Sequence, residues 1–379
     1  MVALNGERLA DLRDLLGVSQ TTVAATTGVN QALVSMVERG ERTLGEGLAE
    51  ALSRAFGVPV SFFHVRTELS DSAPVTFRKK AGASVRDEKR IVAKHREAAR
   101  LFAESSARSG YQEARLPRPG DYDDDPAILA EAVRYEVGLA DDDPVPNVVR
   151  LAERLGVGVI TSLEPGTTAT GDHVSISRPH DADGRPLVAL VASCPGDMAR
   201  LSLAHEVGHL VLDRALVRPV RSTRAPEERR AYTFGSALLV HDSVMRKHVS
   251  ENLTLHGYLP LKARYGISVA ALIMRATHMG LISQSRARSL HIQRSSQGWT
   301  KHEPVEVATE AQLLLDQCYR RAFPGWSNHA VAHELGMMYR LLDDWVPDQS
   351  PPPGNVVWLA ERRSERGADG GSVRDHDAV

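Results

Sequence analysis

The stretch Leu203-Ala204-His205-Glu206-Val207-Gly208-His209-Leu210-Val211-Leu212 is apolar apart from two histidines and a glutamate in the order HExxH. Residues four apart share one face of a helix, so His205 and His209 can offer two imidazoles to a single ion. Glu206 lies beside them, placed to take a proton from a metal-bound water. Zinc in such a setting lowers the pKa of its water from roughly 16 toward about 7 and polarises a scissile carbonyl. The pattern predicts acyl transfer to water, with Zn2+ as cofactor. A near-repeat at His333-Glu334-Leu335-Gly336-Met337 has a thioether in place of the second imidazole. It provides no zinc pair and reads as an ordinary helix turn.

Catalytic zinc takes a third protein ligand and keeps one position open. Glu227 and Glu228 open the next helix after Pro226, and Asp213 lies one turn beyond His209. Carboxylates in a first helical turn also complement the helix dipole, which accounts for one of the two glutamates without any metal. Both flank the apolar stripe Ala231, Phe234, Gly235 and Leu238. Helical phase therefore does not choose between them.

The 379 residues exceed what one core usually fills, so two or three domains are expected. With 42% apolar and 25% charged residues the composition is that of an ordinary globular protein. No run approaches the roughly 18 apolar residues of a membrane span, and Glu7, Arg8, Asp11, Arg13 and Asp14 interrupt any signal segment. A cytoplasmic protein with no membrane partner is expected. Cys194 and Cys318 are too few for a disulfide framework or a cysteine-built zinc site and read as plain buried thiols. The net charge of −2 gives no overall pull toward nucleic acid, so DNA binding has to rest on a local motif.

Leu9, Leu12 and Leu16 recur at helical spacing, Ser19 can cap a second helix, and Thr27-Gly28-Val29 forms a turn before Asn30 caps a third. Two helices across a glycine turn predict a helix-turn-helix within residues 1–65. The basic stretch 66–118, with Arg78, Lys79, Lys80, Arg86, Lys89, Arg90, Lys94 and Arg96, predicts a helical linker. Pro117 to Asp125 marks a loop, and Gly156–Thr161 and Pro186–Ala192 read as short strands. The expected organisation is a peptidase core over 119–250, a helical C-terminal region over 251–346 and a flexible tail over 347–379. The fold class is multi-domain and mainly α: a helix-turn-helix bundle, then an α+β zincin-like domain, then helices.

The stretches Arg200 to His209 and Glu228-Arg-Arg-Ala-Tyr-Thr-Phe-Gly-Ser-Ala-Leu-Leu239 resemble the two site helices of the ImmA/IrrE metallopeptidases. By that resemblance Glu228, not Glu227, is the third zinc ligand and Glu206 the catalytic residue. The likeness continues through Leu261–Arg275, Met279–Ser283, Gly298-Trp299 and Glu303-Pro304. Departures are Tyr232 where Asn is frequent, Val240-His241 in place of Met-Pro, and Asp213 where a His is common. The N-terminal segment is similar to XRE-type repressor domains. The resemblance implies that Gln31, Ala32 and Ser35 face the major groove and Gln20 a phosphate, although residues 1–65 hold five Lys/Arg against seven Asp/Glu. Residues 256–283 have a second helix-turn-helix look, with Gly266 at the turn and Ser268 as cap.

Together these readings predict a DNA-binding transcriptional regulator with a zinc-dependent endopeptidase domain. Its protein substrate is a helix-turn-helix repressor or the chain itself, and a homodimer is the natural form for reading paired half-sites. The alternative is a regulator whose zinc domain is a non-catalytic sensor or structural module, marked by a blocked fourth metal position.

Overall fold

Ser19 and Asn30 each start a helix by accepting a backbone N–H three residues on, from Thr22 at 3.1 Å and Leu33 at 2.7 Å. The N-terminal bundle comprises α1 (Glu7–Leu16), α2 (Gln20–Thr27), α3 (Gln31–Glu38) and α4 (Glu46–Phe56). Gly28, at φ 71°, makes the left-handed turn between α2 and α3. Leu9, Leu12, Val34, Val37, Leu52, Phe62 and Phe63 fill its core. In this computed structural model the described residues are 4–66, 74–79, 84–122, 124–167, 173–180, 184–220, 222 and 224–347. Lys80 and the expected tail from residue 348 onward lie outside them.

The segment expected to be a helical linker is built differently. Its first described part is a strand, β1 (Thr76–Lys79), and its second is a 25-residue helix, α5 (Val85–Ser109). Ile91, His95, Ala98 and Phe102 recur at helical spacing and are all buried. The abundance of basic residues obscured this stripe in the sequence. Arg8 of α1 reaches Glu97 of α5 at 2.8 Å, donates to the Phe62 carbonyl at 3.2 Å and lies 3.9 Å over the Phe62 ring. Arg100 donates to the other Glu97 oxygen at 2.6 Å. Burial pushes the Glu97 carboxyl up, but Arg100 and then Arg8 outweigh it and hold its pKa at about 2. The bundle is thus clamped to α5 by a buried ion pair.

Downstream, α6 (Pro126–Glu136) and α7 (Val148–Arg154) precede β2 (Gly158–Ile160), β3 (His173–Ser177) and β4 (Leu187–Leu190). The sheet order is β1-β3-β4-β2, with β1 and β3 antiparallel, β3 and β4 antiparallel, and β2 parallel to β4. Strand β3 was not anticipated. Along β4, Val188 and Leu190 enter one core while Leu187, Ala189 and Val191 enter the other, as alternation requires.

The first core holds α8 (Gly196–Leu212), α9 (Pro226–Leu239), α10 (Asp242–His248), α11 (Leu259–Tyr265), α12 (Val269–His278) and α13 (Gln284–Ser296). The second joins the N-terminal bundle and α5 to α14 (Leu314–Ala322), α15 (Asn328–Leu335) and α16 (Tyr339–Trp345). The helices after 250 therefore divide between the cores, through a non-helical strap at 302–313. Glu310 of the strap pairs with Arg200 of α8, and Gln312 accepts from the Thr161 backbone at 2.8 Å. The expected turn at Gly266 joins α11 to α12, and Ser268 caps the latter.

Glu97→Gln leaves the buried Arg8 with Asp11 as its remaining counter-charge, at 3.0 Å, takes the carboxylate from Arg100, and should destabilise the chain by about 3–5 kcal/mol. In the wild type this contribution is full above the unfolded carboxylate value near 4.5 and is lost as pH falls toward about 2. An unchanged denaturant midpoint for the variant at neutral pH would refute the clamp.

Candidate metal centre

Helix α8 forms because its residues from Ala199 to Val211 are buried on all sides, between the sheet and α9. Two glycines let α9 come close. A methyl group at Gly235 would stand 2.8 Å from the His205 backbone nitrogen, and one at Gly208 would stand 3.1 Å from the Ala231 carbonyl. At this separation Glu228, in the first turn of α9, meets both histidines of α8. The Nε2 atoms of His205 and His209 lie 3.1 Å apart, with Glu228 carboxylate oxygens 3.3 Å from His205 and 3.5 Å from His209. All three residues are buried, and they form a group able to hold one metal ion. Tetrahedral coordination at zinc–nitrogen distances near 2.0–2.1 Å places neighbouring ligand atoms roughly 3.3 Å apart, so the donor set fits a zinc-sized ion. Glu227 is only half-buried and stands outside the group.

Asp213, weighed in the sequence as a ligand, has another place. Its Oδ2 lies 2.6 Å from Nδ1 of His209, and its Oδ1 accepts from Arg230 at 2.6 Å. That bond fixes the ring with Nε2 turned to the group, the arrangement that orients metal-binding histidines. Its sequence signal was the four-residue spacing from His209. Burial opposes charge on His209, but the bonds to Asp213 and Glu228, with the Glu206 charge, raise its pKa to about 10. Burial also works against the Glu228 carboxylate, and its bonds to the two imidazoles outweigh this and hold it at about 2. His205, dominated by burial, is shifted down.

Glu206 is fully buried and points toward the sheet. Ser175 donates to one of its oxygens at 2.7 Å, while Ser177 at 2.6 Å and Thr76 at 3.0 Å donate to the other. Sequence reasoning missed all three hydroxyls. Ser175 and Ser177 alternate with Val174 and Ile176, a strand signature on a short segment, but nothing local ties Thr76 to a helix 130 positions away.

At the other end of the chain Gln31 donates to Gln20 at 2.7 Å, and Gln20 donates to Glu38 at 2.7 Å. Gln31 and Ala32 are exposed, and Ser35 accepts from Arg39 at 2.6 Å. His333 and Glu334 lie on α15, Met337 just beyond its end is buried in the second core, and none of them joins a metal group among the described residues.

Metal content measured by mass spectrometry should be near one ion per wild-type chain, unchanged in Glu227→Ala and lost in Glu228→Ala. Asp213→Asn should retain the site with affinity weakened about 10–100-fold. Equal metal loss in the Glu227 and Glu228 variants would break the assignment of the third ligand.

Two family models match the chain. One, described as helix-turn-helix, covers residues 9–63, and the other, peptidase family M78, described as an IrrE N-terminal-like domain, covers residues 149–277. No curated protein matches. The second match spans α7 to α12 and so includes His205, Glu206, His209 and Glu228. The chain is a fusion of an N-terminal XRE-type helix-turn-helix with an IrrE/ImmA-like domain of peptidase family M78.

Proposed function

We propose that this protein is a DNA-binding transcriptional regulator whose M78 domain is a zinc-dependent endopeptidase acting on a repressor-type protein or on the chain itself. The observation that carries it is the convergence of His205, His209 and Glu228 beside a buried carboxylate, Glu206, on the same helix. Zinc bound there would supply a lowered water pKa and polarisation of the peptide carbonyl. Glu206 takes the proton of the attacking water and returns it to the leaving amine. Asp213 holds His209 in one orientation throughout. The N-terminal bundle reads the operator through Gln31, Ala32 and Ser35, with Gln20 toward a phosphate, in a cytoplasmic homodimer. No helix among the described residues is long and apolar enough to cross a membrane, which agrees with that location.

One observation favours a second reading, a non-catalytic metal module. His205, Glu206, His209 and Glu228 are 4%, 0%, 0% and 6% exposed, and three hydroxyls occupy the Glu206 carboxylate. A protein substrate reaches such a site only after a covering segment moves, and Thr76 on the edge strand β1 is the hydroxyl from outside the matched domain.

The two readings part in a comparison of wild type and Glu206→Gln, each loaded with zinc. New N-termini would be mapped by mass spectrometry in the chain itself and in an added cell extract. Peptidase action predicts zinc-dependent cleavages that fall by at least about 100-fold in the variant, the lower range for loss of a general base. Identical N-termini in both samples would establish the non-catalytic module. Thr76→Val, which frees one bond on Glu206, should raise cleavage on the first reading and leave both samples silent on the second.

A further inference from the structure

The first turn of α5 and the N-terminal ends of α2 and α3 enclose a cleft of about 460 Å³, with Gln20, Gln31, Arg86 and Lys89 on its walls. Arg86 and Lys89 are both exposed, three positions apart on one helix face. Their helix neighbours Arg90, Lys94, Arg96 and Arg100 are each paired with a carboxylate. Arg86 and Lys89 have no carboxylate within ion-pair distance among the described residues. Asp14, which also lines the cleft, pairs with Arg13 at 3.3 Å and feels the charge of Lys89 only from beyond ion-pair distance. Two like charges so placed repel each other, which an anion seated between them would reverse.

The nature of that anion follows from the helices on the opposite wall. A duplex is held mainly through its phosphates, and the bundle is poorly equipped for this. Of its basic residues, Arg8 is buried on Glu97, while Arg13, Arg39 and Arg54 are paired with Glu38, Glu41 and Glu50. Only Arg42 stands without a carboxylate at ion-pair distance among the described residues of the bundle. Gln31, the exposed first residue of α3, lines the same cleft, and Ala32 beside it is exposed.

We infer that Arg86 and Lys89 of α5, outside the helix-turn-helix itself, supply its missing phosphate contacts, so that duplex DNA entered by α3 lays one backbone strand across this cleft. The inference rests on the helix-turn-helix being a DNA reader. The buried Arg8–Glu97 pair holds α5 against α1 and makes the geometry of this composite surface fixed rather than tethered.

The test uses the full chain and a random-sequence duplex of roughly 30 base pairs, with affinity followed by fluorescence anisotropy from about 50 to about 200 mM KCl. Each phosphate contact adds about 0.9 to the slope of log affinity against log salt, so R86A/K89A should lower the slope by about 1.8. Affinity at the lowest salt should fall at least about tenfold. R288A/K301A removes the same charge from exposed positions elsewhere and should leave the slope at the wild-type value. A wild-type slope in R86A/K89A, or an equal loss in both double variants, overturns the inference while leaving DNA binding intact. Absence of salt-dependent binding by the wild type overturns the inference together with the reading it rests on.

Discussion

The close approach of α8 and α9 is the constraint on which the candidate metal centre depends. Neither helix carries three ligands alone, and a carboxylate on α9 reaches two imidazoles on α8 only if the backbones nearly touch. Gly208 and Gly235 provide that contact, one from each helix, where any Cβ would press on backbone atoms of the partner. Overpacking of this kind costs roughly 1–3 kcal/mol and displaces whichever helix yields. The same contact buries the site, which strengthens every charge interaction within it and accounts for the opposed shifts of His209 and Glu228.

The four-stranded sheet organises the rest. Its two faces serve different cores, so the strands next to α8 also form a floor for α5 and, through α5, for the N-terminal bundle. The edge strand β1 enters this arrangement from the segment between the matched domains and touches Glu206 through Thr76. The N-terminal bundle and the peptidase-family domain are therefore parts of one packed unit within residues 1–346. A change in the packing of α5 or β1 would be felt on both sides.

Much of the local structure was legible in the residues. Ser19, Asn30 and Ser268 cap helices because their side chains satisfy the N–H groups that a helix start leaves free, and Gly28 and Gly266 take left-handed turns that other residues resist. The pairing of His205 with His209 follows from helical spacing alone. These features are set by chemistry within a few residues, which is why they can be read without the fold.

What lay beyond the sequence is non-local. The residues themselves left Glu227 and Glu228 equivalent, and resemblance alone separated them. In the fold the crossing of α8 and α9 brings Glu228 to the imidazoles and leaves Glu227 outside. The hydroxyls on Glu206 come from strands 29 to 130 positions away, and Asp213 trades a presumed ligand role for one behind His209 because of the direction in which that ring faces. The basic linker became a buried helix and an edge strand because its few apolar residues align only once a core exists to receive them. Short-range periodicity and capping set many of the helices and the pairing of the two histidines, but not β1, β3 or the buried face of α5. The place of Glu228 beside the imidazoles, the setting of Glu206 and the joining of the two modules were set by tertiary packing, since each depends on contacts that close only when distant segments meet.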